Sequence, residues 1–257
     1  MSIKFIILGC GSSMGVPRPD GFFGNCDPEN KKNHRTRCSA LIKFHNENIL
    51  IDSSPDLRQQ LLVNKIKSID RVLYTHLHAD QTHGINDLRV FYLKSKKKIK
   101  VYADKITTKY LKDKFSYCFT NEYDYPAIMS LKILKKKFTL GNENNKINIK
   151  AINVKHGLIN SVAYIINNKI AYVSDANKFY KEDYNLFKGL KYLIIDCLRF
   201  TSHPSHFNLD EVLQIVSSLK PKKTILTNLH SDLDYNHLLK ILPNNIIPGH
   251  DGLRFNI

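Results

Sequence analysis

Arg71-Val72-Leu73-Tyr74-Thr75-His76-Leu77-His78-Ala79-Asp80-Gln81-Thr82-His83-Gly84 is the stretch on which the reading of this chain turns. A short apolar strand, Arg71–Tyr74, stops abruptly at histidines and an aspartate. Extended residues alternate sides, so an H-x-H past a strand end sends the imidazoles of His76 and His78 the same way. Asp80 adds an oxygen ligand or a base close by. Partners from elsewhere in the chain favour a metal over a polar loop with incidental histidines. His156 ends the expected strand Ile147–Lys155, Asp175 follows Ile170–Val173, and His230 lies just beyond Thr224–Thr227. Several strands thus deliver ligand-type side chains to one edge, and His156, Asp175 and His230 join His76, His78 and Asp80 as expected ligands.

Working outward, the chain opens on a strand at Ile3–Leu8 and then a Gly/Pro-punctuated loop, about residues 9–38, too long for a connector and read as a functional flap. Ser39–His45 and Ile49–Ile51 form two strands about an Asn46-Glu47-Asn48 turn. Pro55 opens a helix whose stripe is Leu57, Leu61 and Leu62, and a second helix is expected from about Gly84 to Tyr92. Val162–Ile166 and Ile170–Val173 are strands around an Asn167-Asn168 hairpin turn. Tyr192–Asp196 and Thr224–Thr227 flank an amphipathic helix at Leu209–Leu219, capped by Asn208 or Asp210. Strands at both ends with interspersed helices indicate two sheets sandwiched by helices. No linker or repeat divides the 257 residues, so a single domain over 1–257 is expected.

Composition narrows the class. At 42% hydrophobic and 24% charged the chain is an ordinary globular one, which excludes disordered and collagen-like classes. No apolar run approaches the roughly 20 residues of a membrane helix, and Gly9 and Gly11 arrive too early for a signal peptide. Five widely spaced cysteines without a C-x-x-C argue for a reducing, cytoplasmic setting. The net charge of +16 comes from 31 lysines against 8 arginines. These lysines are scattered and lack an interleaved aromatic platform for bases, so they read as a solvated surface.

The chain resembles the metallo-β-lactamase-fold hydrolases. Their H-x-H-x-D-H-x-x-G signature is matched by His76 to Gly84, their earlier strand-end aspartate by Asp52, and their later His, Asp and His by His156, Asp175 and the Asn228–His230 region. By Met14-Gly15-Val16-Pro17, the run Thr82 to Arg89 and Asp251-Gly252-Leu253 it looks nearest the phosphodiesterase branch that includes tRNase Z and the accessory phosphodiesterase of the carbon–phosphorus lyase pathway. The resemblance implies an α/β fold, a four-layer αβ/βα sandwich with the site on one rim. It also implies zinc or manganese, with one ion firmly bound and a second held more weakly.

Two departures stand out. Gln81 occupies the place of a second-metal histidine, and an amide is a poorer ligand than imidazole for such metals. Asn228 occupies another histidine's place, and His230, two residues on, is expected to face the same way in an extended segment. His83 is a further stand-in for Gln81. Asp52 is read as orienting the ligand loops rather than ligating. By resemblance, His206 in His203-Pro204-Ser205-His206 meets the scissile phosphate as general acid, while Asp80 orients the nucleophile. His34, Arg37 and Arg199 are candidates for phosphate contact. The flap thiols Cys26 and Cys38 are too few for a structural zinc, and Cys10, Cys118 and Cys197 are expected in the core. The reading is a phosphodiesterase on small nucleotide-like or cyclic diesters, with no membrane partner. A tRNase Z-type RNA nuclease is the second reading, disfavoured by the lack of an RNA-gripping insertion. A non-catalytic metal- or nucleotide-binding protein is the third, and thioester or β-lactam hydrolysis is not excluded because fold alone does not set chemistry.

Overall fold

The computed structural model describes residues 3–122, 124–142 and 145–257. Two mixed sheets stack face to face. The first runs in the order β15-β1-β2-β3-β4-β5-β6, from β1 (Ile3–Gly9), β2 (Ser39–Phe44), β3 (Glu47–Ile51), β4 (Arg71–Leu73), β5 (Ile99–Ala103), β6 (Met129–Ile133) and β15 (Arg254–Asn256). The second runs β11-β8-β9-β10-β12-β13-β14, with β7 beside β8. Its strands are β7 (Lys137–Asn142), β8 (Asn145–His156), β9 (Ile159–Ile166), β10 (Ile170–Val173), β11 (Lys178–Phe179), β12 (Tyr192–Asp196), β13 (Lys223–Thr227) and β14 (Ile246–Pro248). Each sheet joins antiparallel strands to parallel ones: β3 to β6 in the first, and β10, β12, β13 and β14 in the second.

Side-chain parity sets the layers. In the first sheet Phe5, Ile7, Ile42, Ile49 and Ile51 point to the inter-sheet core, where the Phe5 ring lies 5.9 Å from that of Tyr172. Their neighbours Ile6, Leu8, Leu41, Leu50 and Val72 face the other way. They pack on Leu57 and Leu61 of α1 (Leu57–Val63), Phe91 of α3 (Arg89–Ser95) and Leu111 of α4 (Lys105–Lys114). On the second sheet α5 (Leu209–Leu219) buries Leu209, Val212, Val216 and Leu219, and α6 (Tyr235–Ile241) buries Leu238. The result is the αβ/βα sandwich that the resemblance implied.

Local chemistry explains most boundaries. Asn208 opens α5 with a full capping box: its side chain accepts from Glu211 N–H, and Glu211 accepts from Asn208 N–H. Asn167 and Asn168 both adopt positive φ, 48° and 53°, as a two-residue hairpin turn requires. The β2–β3 turn is tighter than expected: His45 takes φ 50° and β3 already begins at Glu47. The helix expected over 84–92 is instead a 3-10 turn, Ile85–Leu88, followed by α3, with one further turn, α2 (Ala79–Thr82), ahead of it. Gly84 lies so close to Ser54 that an added Cβ would sit 2.0 Å from its carbonyl oxygen, which fixes glycine there.

The long loop after β1 is tied down. Arg35 is 2% exposed, and its guanidinium donates to the carbonyls of Leu233 (2.7 Å) and His230 (3.3 Å) and to Asn33 Oδ1 (3.1 Å). All five cysteines are buried free thiols. Among the described residues, no helix is long and apolar enough to cross a membrane.

Candidate metal centre

The carboxyl ends of β3, β4, β10, β12 and β13 and the end of β8 converge on one rim, where Asp52, the His76–Gln81 segment, His156, Asp175, Asp196 and Asn228 lie. His76 Nε2 is 2.9 Å from His78 Nδ1, and His156 Nε2 is 3.2 Å from the same atom. The three imidazoles form one group of mutually close ligand atoms, within 4.8 Å, and His156, Asp175 and His206 form a second that shares His156.

On two of the rings, His76 and His156, the far nitrogen is engaged, which leaves Nε2 to face the cluster. His156 donates Nδ1–H to the Ser205 carbonyl at 2.8 Å. His76 Nδ1 lies 3.0 Å from Thr75 Oγ1, whose hydroxyl donates to Asp52 Oδ2 at 2.8 Å. Asp52 Oδ1 also accepts from Thr75 N–H at 2.7 Å. Asp52 is therefore wholly buried behind the centre, acting on His76 through Thr75, with burial raising its pKa against the pull of the Thr75 bonds. Burial drives His76 down to about 3, with the neighbouring imidazoles adding to the effect against Asp175. Burial and His156 lower His78 as well. Three imidazole nitrogens this close together, on rings from two strand ends, form a ready donor set for a cation. This donor set fits a divalent ion of zinc type. His76, His78 and His156 would hold it, with Asp175 as the adjoining carboxylate. Burial would raise Asp175, but His76, His156 and His206 outweigh it and hold the carboxyl below the ordinary range.

The region of an expected second ion has a different chemistry. Gln81 is fully buried and donates from Nε2 to Asp80 Oδ2 (3.1 Å) and Asp175 Oδ2 (3.0 Å). Asn228 donates from Nδ2 to Asp175 Oδ1 (3.3 Å) and Asp196 Oδ1 (3.1 Å). Amide N–H groups stand where a cation would have to be, so these residues do not fit a second ion. Neither expected stand-in is present. His230 bonds through Nδ1 to Asp232 at 3.1 Å, outside both ligand groups found among the described residues. The alternation argument for it fails because Asn228 is left-handed, φ 60°, which breaks the extended run. His83 turns outward to Tyr110 (3.0 Å) and packs on Phe115.

His206 bonds through Nδ1 to Asp196 Oδ2 at 2.7 Å, so Nε2 is the ring nitrogen not used in that pair. Burial opposes its charge, but Asp196, helped by Asp175 and Asp80, raises it to about 9. Asp196, fully buried, is itself pushed up to about 7 because desolvation exceeds the pull of His206. Burial and then Asp175 likewise push Asp80 up to about 7. Sequence reasoning passed over Asp196 as a site residue. The signal was available: an apolar strand ending on an acid, as at Ile51-Asp52. Of the phosphate candidates, Arg37 is forked onto Asp56 (2.8 and 2.6 Å), His34 meets the Pro28 carbonyl, and Arg199 meets those of Thr201 and Ser202.

Residues 47–228 match the beta-lactamase superfamily domain. A solved diphosphatase of the PhnP family is 29% identical, with TM-score 0.89, over 100% of this chain and 98% of that one. Zn(2+)-bound PqqB from Methylobacterium extorquens (15% identity, TM-score 0.80, 99% and 100% covered) shares the fold. So does human tRNase Z, short form (16%, TM-score 0.67, 98% of each). A curated octanoyltransferase of Porphyromonas gingivalis (strain ATCC BAA-308 / W83) is 32% identical over 255 residues, 98% of this chain. The chain spans about half, 51%, of that relative's length. Both the domain match, which takes in the three histidines, and the two-sheet architecture lead to one assignment: the chain belongs to the beta-lactamase superfamily, in its metallo-β-lactamase fold.

Proposed function

We propose that this protein is a metal-dependent hydrolase of small, nucleotide-like molecules carrying a phosphodiester or diphosphate linkage. The observation that carries the reading is His206, an imidazole raised to about 9 by the buried Asp196, standing 4.7 Å ring to ring from His156 of the three-histidine cluster. The whole-chain similarity to a diphosphatase supports it. When bound, a divalent ion, zinc or manganese, supplies Lewis acidity and lowers the pKa of water. Asp80, beside this centre, orients the attacking water and accepts its proton on a carboxylate oxygen. As water bonds to phosphorus and the bond to the leaving oxygen breaks, His206 donates a proton from Nε2 to that oxygen. Asp196 holds the imidazolium in place and in charge.

A second reading, hydrolysis of an acyl ester or thioester, is favoured only by the half-length similarity to an octanoyltransferase. An RNA substrate draws on the tRNase Z likeness, which is one of fold. The test is a screen of protein loaded with Zn²⁺ or Mn²⁺ against a nitrophenyl phosphodiester, cyclic nucleotides, dinucleoside diphosphates, acyl thioesters and precursor tRNA. Metal-dependent turnover of the small phosphorus esters or diphosphates is expected, with His206→Ala as the background. Turnover confined to thioesters or RNA would overturn the proposal.

A further inference from the structure

The two amides beside the three-histidine cluster are arranged with unusual completeness. Each NH2 group lies within hydrogen-bond reach of two carboxylates: Gln81 of Asp80 (3.1 Å) and Asp175 (3.0 Å), Asn228 of Asp175 (3.3 Å) and Asp196 (3.1 Å). Three acidic side chains that would repel one another in a buried space are thereby stitched together by neutral donors. The arrangement leaves Gln81 Oε1 buried with no hydrogen-bond partner. An unpaired buried acceptor is unfavourable, so the orientation is held by the carboxylates, which accept the amide N–H and have no proton to offer its oxygen. We infer that Gln81 and Asn228 do the electrostatic work of a second cation, and that this centre takes a single divalent ion.

The inference rests on reading His76, His78 and His156 as a metal centre. To admit a second ion, both amides would have to turn their carbonyl oxygens inward. That would break four hydrogen bonds to acidic oxygens and offer amide oxygen where borderline metals prefer imidazole. Asn228 also joins the two halves of the site. Its Nδ2 touches Asp175 beside the histidine cluster, as well as Asp196 and His206 Nδ1 (3.0 Å). The amides therefore set the spacing between ion-facing Asp175 and the Asp196–His206 pair without any metal bridging them.

The experiment counts ions. The full chain, stripped with a chelator, is dialysed to equilibrium against graded free Zn²⁺ and, separately, Mn²⁺, and bound metal per chain is measured by elemental analysis. One ion per chain is expected for the natural protein with either metal. Two are expected for the double variant Gln81→His, Asn228→His, because imidazoles would replace the amide donors beside Asp80 and Asp175. Two ions on the natural protein at similar free-metal concentrations would overturn the inference, and so would a folded double variant still binding one. Should the double variant fail to fold, each single variant carries the same test through the appearance of a weaker second ion. The count involves no substrate. Two ions would refute this inference and leave the hydrolase reading standing, whereas a failed substrate screen would leave a count of one intact. A count of zero would remove the metal reading and this inference together.

Discussion

Asparagine at position 52 tests how His76 is held. Asp52 adopts φ 61°, a left-handed conformation that asparagine tolerates better than other non-glycine residues, so the backbone should stay in place. In the natural protein the Thr75 hydroxyl proton is committed to Asp52 Oδ2 at 2.8 Å. Thr75 Oγ1 can then only accept from His76 Nδ1, 3.0 Å away, which leaves the Nε2 lone pair for the ion. An amide keeps the 2.7 Å bond from Thr75 N–H through its carbonyl but points a donor at Thr75 Oγ1. The hydroxyl then turns to donate to His76 Nδ1, and the ring proton moves to Nε2, where it blocks ligation.

Loss of an orienting partner behind a metal-binding histidine costs about 10–100-fold in affinity, or about 1.4–2.7 kcal/mol. Asp52→Ala is the harsher change, because it strands buried Thr75 donors at about 1–3 kcal/mol each. Competition with a chromophoric zinc chelator measures the affinity. Long-range ¹H–¹⁵N correlation spectra of the metal-free protein at pH 8 report the tautomer: Nδ1–H on His76 in the natural protein, Nε2–H in Asp52→Asn. A folded Asp52→Asn protein with both affinity and tautomer unchanged would refute the relay through Thr75.

His206→Ala should keep its metal and lose about 10²–10⁴-fold in turnover on substrates with alkoxide leaving groups, much less with nitrophenolate. Loss of metal would make His206 a ligand, and equal losses on both substrates would make it a phosphate contact. Asn208→Ala removes the capping box of α5 and should cost about 1 kcal/mol in urea denaturation, with no change in metal binding. Asp251 is pushed up to about 6 by burial, against hydrogen bonds from Thr36 and Cys10. Its folded pKa exceeds the unfolded one, so its contribution to stability grows as pH falls from about 6 towards 4 and is lost as pH rises through that window. The stability difference between natural protein and Asp251→Asn should follow that course, and a pH-independent difference would show that the carboxyl does not titrate there.

Residues adjacent along the chain are enough to mark the strands that feed the site and the three histidines. The apolar runs Ile3–Leu8 and Ile49–Ile51, the paired asparagines at 167–168 and the Asn208 cap are local signals, written in residues adjacent along the chain. The H-x-H after Tyr74 is local in the same way, so His76 and His78 were legible, and His156 followed because it also terminates an apolar strand. What surrounds them is set by contacts between segments that the chain holds apart. Whether His230 reaches the site depended on one left-handed residue, Asn228, a backbone choice set by packing at the end of β13. The Asp196–His206 contact, the Ser205 carbonyl behind His156 and the Asp52–Thr75–His76 relay each join segments 1 to 49 residues apart. Most decisively, Gln81 and Asn228 read in sequence as two weak ligands. Their meaning as hydrogen-bond donors among three carboxylates, two of them buried, arises only where β10, β12 and β13 end side by side. Buried polar groups must find partners wherever the fold places them, and that requirement has no one-dimensional signature.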